Sequence, residues 1–478
     1  MVSNMIGATR EAKPAAVATA PTRALTGWVM FEWATQPFYT LIVTFLFGPY
    51  FVNVVVGDKA YGQSLWGYAA AAAGVLIAVG SPLLGAVADV KGRRKPWLAI
   101  FVLILCASMA SLWFATPALK GQNLWLVLVA FVIASAVAEF AVVFFNAMMP
   151  TLVPRDKIGK LSGTGWAMGY VGGLVALIFM AGFVAADPGT GKTLLGLDPA
   201  LKLDAATHEG DRLVGPFSAL WLLLFCLPLF LFTPDAPRHV TNGSVRDGLR
   251  SFWDTVKGLP SHPEILTFLI ARMIFSDGLT AIFVFGGIYG SAVFDWGLRE
   301  QGMFGIIVVL VGAIGAFLGG FLDDRIGSKR VIIGALVVII AGAIGILSVD
   351  KTHILFTQVV PEKVSGSPPF SSTGEQVFLT FAILIGLVAA PVQASSRSLI
   401  ARLAPIDRVT QFFGLFAFSG KATAFAAPLA VGFVTNWFAD QRIGMSAILV
   451  FLVVGLILML KVRAPRRSEE HTSELQSR

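Results

Sequence analysis

Five ionisable residues, Glu32, Glu139, Arg272, Asp277 and Lys421, fall inside long apolar stretches of this sequence. A charge inside hydrocarbon is costly, and it marks a place where something is bound, paired or protonated. Three acids and two bases so placed can hold the ammonium and carboxylate of a zwitterion, or relay a proton or cation. Glu139 and Asp277 lie too deep in their stretches to meet water except through a cavity. Glu32 is nearer an end, where a cavity role competes with solvation or a hydrogen bond to Trp28 or Gln36 one turn away. Arg272 and Asp277 sit about 140° apart round a helix, so each needs a partner on another helix or on substrate. Lys421 interrupts "FAFSGKATAFAAPLAVG"; an ammonium there must deprotonate or find an acid, and Glu139 and Asp277 are the candidates. Arg397 is left open between snorkelling to the interface and gating.

The elements that carry these residues are membrane helices. Of the 478 residues 56% are hydrophobic and 13% charged, and the mean hydropathy is +0.77. Apolar runs of about 20 residues, each long enough to cross about 30 Å of hydrocarbon, recur along the chain. About twelve are expected, near 26–52, 64–88, 96–115, 123–149, 162–186, 215–234, 264–291, 300–322, 331–349, 376–400, 411–437 and 443–461. The runs do not alternate with period two, which excludes a barrel. The fold class is an all-α membrane protein. The net charge of +8 does not point to nucleic acid. Lys and Arg are more than twice as frequent in the first residues, the loops after even-numbered spans and the stretch after the last span as in the other loops, which puts both termini in the cytoplasm.

Two charged knots follow apolar runs, "GAVADVKGRRK" at 85–95 and "GFLDDRIGSKR" at 320–330. Gly85, Asp89, Gly92 and Arg94 align with Gly320, Asp324, Gly327 and Lys329 at one constant offset; Arg93 and Arg325 belong to the same knots. A second pair, "LVPRDKIGKLSG" ending at Gly163 and "LAPIDRVTQFFG" ending at Gly414, repeats in the same order. Two copies of a six-span unit, both starting on the same side, are parallel repeats about an axis along the membrane normal. The matched aspartates are expected to act as latches, pairing across the gap between halves with a basic side chain or a helix N-terminus. The expected division is a cytoplasmic lead over 1–23, six-helix halves over 24–234 and 264–462, and a linker over 235–263. Within the linker "SVRDGLRSFWDTVKGL" reads as an amphipathic helix on the cytoplasmic face. Residues 467–478 resemble a translated sequencing adapter.

The knots resemble the signature loop of major facilitator superfamily transporters, Gly-x-x-x-Asp-Arg-x-Gly-Arg-Arg, and its counterpart in the second half. The second copy keeps the arginine as Arg325; the first has Val90 there. "GWVMFEWATQPFYTLIVTFLFGPYF", "FFNAMMPTLVPRDKIGKLSGTGWAMGYVGG" and "PVQASSRSLIARLAPIDRVTQFFGLFAFSGKATAFAAPLAVG" are similar to the branch containing the autophagy-linked vacuolar amino-acid exporter and its bacterial relatives. That resemblance implies a secondary transporter of amino acids or similar solutes, working by alternating access and coupled to a proton or sodium ion, here in a bacterial inner membrane. An alternative is a sugar:cation symporter of the glycoside–pentoside–hexuronide type, suggested by "DVKGRRKPW" and the acid and lysine in spans four and eleven.

Other classes fit poorly. "GTGKT" at 189–193 lacks the earlier glycine of a phosphate-cradling loop. No histidine lies in an expected span to serve an enzyme, and the scattered histidines lack metal-ligand spacing. Cys106 and Cys226 read as packing residues. No cofactor is expected, and a monomer in the bilayer is. Gly165, Gly169 and Gly173, and Gly315 and Gly319, read as close-packing ladders. Trp28, Trp97, Trp166 and Trp437 fit an interfacial belt, with Trp166 also able to face the cavity. Asn146 and Gln393 are neutral groups able to bind substrate or bridge helices.

Overall fold

Residues 17–187, 189–235, 245–364 and 366–463 are described by a computed structural model. The expected lead lies mostly outside these residues, as do part of the linker and the whole of 467–478. Among the described residues, twelve helices are long and apolar enough to cross a membrane. Spans 1 to 6 are Thr22–Val55, Lys59–Lys91, Lys95–Phe114, Gln122–Leu152, Arg155–Val184 and Glu209–Phe232. Spans 7 to 12 are Pro263–Phe294, Glu300–Ile326, Ser328–Leu347, Thr373–Leu403, Ile406–Phe438 and Gln441–Lys461. Most extend beyond the apolar runs, because charged residues at the ends continue the same helices.

Span 1 packs against spans 5 and 6, span 4 against 2 and 3, span 7 against 12, and span 10 against 8 and 9. Span 10 also meets span 5 and span 11 meets span 4, but the most extensive crossings between the first six spans and the last six are span 5 with span 8 and span 2 with span 11. The repeat exchanges them: span 2 corresponds to span 8 and span 5 to span 11. Large apolar side chains such as Val75, Leu103, Leu126, Leu231 and Leu318 stand exposed on the outside of the bundle. In a bilayer that surface meets lipid, and helical backbone keeps most polar groups bonded within each span.

Spans 1 and 11 are interrupted along their length, and span 5 closes in a π-helix over Met180–Val184. In span 1 the α-helix Thr22–Pro37 gives way to a π-helix over Phe38–Phe45. Pro37 has no N–H to offer the carbonyl four residues back, and that carbonyl, of Trp33, accepts instead from Trp221 Nε1 at 3.2 Å. Span 11 is broken: Val409–Lys421 and Ala426–Phe438 are helical, and Ala422–Phe425 form a turn between them.

Gly92 and Gly327 turn the chain at φ 79° and φ 89°, in the left-handed region open to glycine. The bundle end bearing these two turns, with Arg93, Arg94, Lys95, Lys329 and Arg330, is called the basic end below. At the opposite end a hairpin pairs His353–Ile354 with Gln358–Val359. Asp350 there accepts from Thr352 N at 2.8 Å, His353 N at 2.7 Å and Arg442 Nη2 at 3.1 Å. Burial pushes its carboxyl upward, but these donors outweigh burial and hold it below the usual carboxylate range.

The expected tryptophan belt is not uniform. Trp28 is fully buried, stacked on Phe145 at 4.2 Å and donating to the Phe145 carbonyl at 3.1 Å, because span 1 turns that face toward span 4. Trp437 is exposed, and Trp97 is partly buried beneath Lys91 Nζ, 5.6 Å from the ring centre. Cys106 and Cys226 are buried and free.

Candidate functional site

At the basic end the two matched aspartates do the same thing in opposite directions. Asp89, in the last turn of span 2, accepts from Thr410 N at 3.1 Å and Gln411 N at 2.8 Å, the first turn of span 11. Asp324, in the last turn of span 8, accepts from Gly159 N and Lys160 N, both at 2.8 Å, the first turn of span 5. The first N–H groups of a helix have no internal acceptors, and the helix dipole favours an anion beside them. Each aspartate therefore caps a helix of the other repeat. A guanidinium flanks each cap. Arg94 Nη2 lies 3.8 Å from Asp89 while its Nε donates to Thr410 Oγ1 at 3.0 Å. Arg402 Nη2 lies 2.9 Å from Asp324, and its Nη1 pairs with Asp323. Burial draws the Arg94 guanidinium below its ordinary pKa, and Asp89 and Asp235 push back.

Glycine makes these caps reachable. A Cβ on Gly85 would stand 2.6 Å from the Thr410 carbonyl, and one on Gly320 would stand 2.7 Å from the Gly159 carbonyl. Gly414 and Gly163, the end points of the second repeated motif, face the same crossings: a Cβ on Gly414 would meet the Ser81 carbonyl at 2.6 Å, and one on Gly163 the Gly320 Cα at 2.6 Å. Of the other knot residues, Arg93 is exposed and Lys329 Nζ donates to the Leu460 carbonyl at 2.9 Å. Arg402, from span 10, pairs with Asp324.

One layer deeper, Arg397 on span 10 reaches into the other half. Its guanidinium pairs with Glu32 on span 1, donates to Asn146 Oδ1 on span 4 at 3.1 Å, and donates to the Ser162 hydroxyl at 2.9 Å and carbonyl at 2.6 Å on span 5. Trp28 and Trp166 flank it, with ring centres 5.3 Å and 6.0 Å away. The snorkelling alternative fails, since the side chain is buried. Glu32 likewise takes neither bulk solvent nor Trp28 as its partner; the chain fold brings it an arginine from span 10.

Lys421 and Glu139 meet in the middle of the bundle, Nζ to Oε1, at 3.2 Å. Lys421 is the last residue of the first helical segment of span 11, so its ammonium stands at the break. The two ends of that break face charges of span 7. Arg272 Nη1 donates to the Phe416 carbonyl at 2.6 Å and Ser419 Oγ at 2.8 Å, and its guanidinium lies 3.5 Å from the Phe416 ring centre. A cation thus sits toward the C-terminal end of the first segment, where the helix dipole favours positive charge. Asp277 is 2% exposed, and its Oδ1 and the Thr423 Oγ1 of the turn have no hydrogen-bond partner among the described residues. Helices broken at mid-membrane expose backbone groups and dipole ends where ions and substrates bind.

The family profile described as "Vacuole effluxer Atg22 like" matches residues 49–472. The chain belongs to that family. Its relatives are transporters. The MFS-type transporter YxiO of Bacillus subtilis (strain 168) is 23% identical over 95% of this chain and 98% of its own length. Autophagy-related protein 22 of Cryptococcus neoformans var. neoformans serotype D (strain B-3501A) is 28% identical over 65% of this chain and 54% of its own, so the chain spans about half the length of that fungal relative. The fold is that of the E. coli fucose:proton symporter FucP, with a TM-score of 0.65 and 15% identity over 93% of this chain and 98% of that one. The proton:xylose symporter XylE matches with a TM-score of 0.65 and 14% identity over 92% and 95%. This Atg22-like protein is an integral membrane secondary transporter of the major facilitator superfamily.

The sequence did not reveal several members of the Atg22-like site. Arg402, Ser162, Asp323 and Thr423 gave no signal. Asn146, read as able to bind substrate or bridge helices, accepts from Arg397 of the other half. Gly165 and Gly173 press on span 1, where a Cβ would stand 3.0 Å from the Trp28 ring and 2.8 Å from Gln36 Cγ; Gly319 presses on Pro391 of span 10 at 2.7 Å.

Proposed function

We propose that the protein carries an amino acid or similar zwitterion across the bacterial inner membrane by alternating access, coupled to a proton or sodium gradient, with the basic end and both termini in the cytoplasm. The carrying observation is the Lys421–Glu139 pair at the break of span 11. A zwitterion offers the same two charges with the opposite pairing, its carboxylate to Lys421 and its ammonium to Glu139, so it can replace the internal pair without leaving either charge bare. Lys421 keeps 39% of its side-chain surface and Glu139 20%, while the basic end is closed by two caps and the Arg397 cluster. The site then communicates with the opposite end, which corresponds to an outward-facing state. Arg272 holds the end of the first segment of span 11, and Asp277 supplies the carboxylate that carries the coupling cation.

Purified protein in liposomes, offered labelled amino acids and sugars under imposed proton or sodium gradients, tests this reading. Gradient-driven amino-acid flux is expected, lost in Glu139→Gln, Asp277→Asn and Lys421→Ala while the proteins stay monodisperse in detergent. Normal flux in all three variants removes the central site. Sodium-driven sugar flux with amino acids inert replaces the reading with the sugar:cation symporter.

A further inference from the structure

The linker helix Val245–Gly258 plays no part in the mechanism above, yet its surface is sorted. At about 100° per residue, one side carries Gly248, Ser251, Phe252 and Thr255, and this side faces the protein. Gly248 lies against span 2, where a Cβ would meet Val87 Cα at 2.8 Å. Thr255 Oγ1 donates to Gln411 Oε1 at 3.3 Å, and Gln411 Nε2 donates to the Ser251 carbonyl at 3.4 Å. Val87 is two residues from the end-of-span Asp89, so the helix lies at the depth of the last turn of span 2 and not out in the aqueous phase. Going round the helix from the buried side, the next strip carries Leu249 and Trp253, 39% and 58% exposed. The strip after it carries Arg246, Arg250 and Lys257, all exposed, and the last carries Asp247 and Asp254.

The order around the helix is therefore protein, apolar, basic, acidic. A bilayer boundary has the same order going outward: acyl chain, phosphate, water. Tryptophan and leucine enter the acyl boundary, cations meet the phosphate layer, and carboxylates face water. We infer that this helix is a docking surface for anionic phospholipid, with Leu249 and Trp253 in the acyl region and Arg246, Arg250 and Lys257 on the headgroup phosphates. The occupant is the bilayer the twelve spans already sit in, and the charge of the strip selects its anionic lipids. The inference does not depend on the substrate proposed above.

The test uses the full chain in phosphatidylcholine vesicles with increasing phosphatidylglycerol, the lipids carrying brominated acyl chains. Bromine quenches indole fluorescence on contact, and the difference between wild type and Trp253→Phe isolates the Trp253 signal. That difference is expected to be strongly quenched, and the quenching to rise with phosphatidylglycerol. In Arg246→Gln/Arg250→Gln/Lys257→Gln the dependence on phosphatidylglycerol is expected to vanish, each cation being worth about fivefold in anionic-lipid affinity. Monodispersity of the triple variant in detergent separates lost lipid binding from misfolding. A Trp253 signal untouched by brominated lipid overturns the inference. So does a triple variant that keeps its phosphatidylglycerol dependence, or a Trp253 signal that follows protein concentration in detergent, which assigns the face to a second copy.

Discussion

A guanidinium as buried as that of Arg397 must be met by oxygens, and it draws them from three helices of the other half, Glu32, Asn146 and Ser162. Removing one member of a buried ion pair leaves the other desolvated and uncompensated, a loss of roughly 3–5 kcal/mol, whereas removing both can be nearly neutral. Glu32→Gln and Arg397→Gln are therefore expected each to unfold at lower temperature in detergent than the double variant Glu32→Gln/Arg397→Gln. A double variant less stable than either single would show that the pair is not what these residues contribute. Single-residue chemistry was readable where one dimension suffices: a lysine inside an apolar run is conspicuous without knowing the fold, and Lys421 was expected to find an acid and found Glu139. The partners of Arg397 were not readable, because a serine and an asparagine are common in membrane helices and only the fold brings them to an arginine from the other repeat. Trp28 was misjudged for the same reason. Its position near a span end suggested the interface, while its side chain faces the helix packed behind it.

Whole helices approach one another through glycines whose roles their spacing could only suggest. Twelve apolar runs and the repeat of the knots were plain in the sequence, and so were the glycine ladders as close-packing surfaces. Which ladder meets which helix depended on the crossings. The break in span 11 was not among the expectations, although Gly420 and Pro428 flank it and Pro428 has no N–H to offer the carbonyl of Ala424. Arg272 of span 7 lies beside the segment before the break, donating to the Phe416 carbonyl. The crossings themselves make a sharp comparison possible within span 2. Gly85 has the Thr410 carbonyl 2.6 Å from where a Cβ would stand, whereas Gly74 has nothing within 4 Å. Gly85→Leu should destabilise the folded protein by roughly 1–3 kcal/mol or more through overpacking. Gly74→Leu should be close to neutral or stabilising, since leucine is the better helix former. Thermal unfolding of the two variants in detergent checks this, and equal shifts would mean that the span 2–span 11 contact does not exist as described.

At the scale of the molecule, the two caps are one device used twice. Asp89 closes span 2 on span 11 and Asp324 closes span 8 on span 5, and both lie at the basic end, so the halves can separate there only if both let go. Each cap ties an anion to two helix N–H groups, and loss of such a cap is worth about 1 kcal/mol, or about fivefold in an opening equilibrium. Because the caps lie on opposite crossings and share no residue, their effects should multiply. In a background with Cys106→Ala and Cys226→Ala, the reporter Ser395→Cys uses a buried hydroxyl on span 10 whose Oγ has no hydrogen-bond partner among the described residues. Its labelling by a small maleimide reports opening. Asp89→Ala and Asp324→Ala should each raise the labelling rate about fivefold, and the double variant about twenty-five-fold. A double variant no faster than the faster single one would mean that a single crossing controls the basic end and the other aspartate is only a helix cap. If neither variant labels faster, the closure rests on the Arg397 cluster, and Glu32→Gln becomes the substitution that opens it.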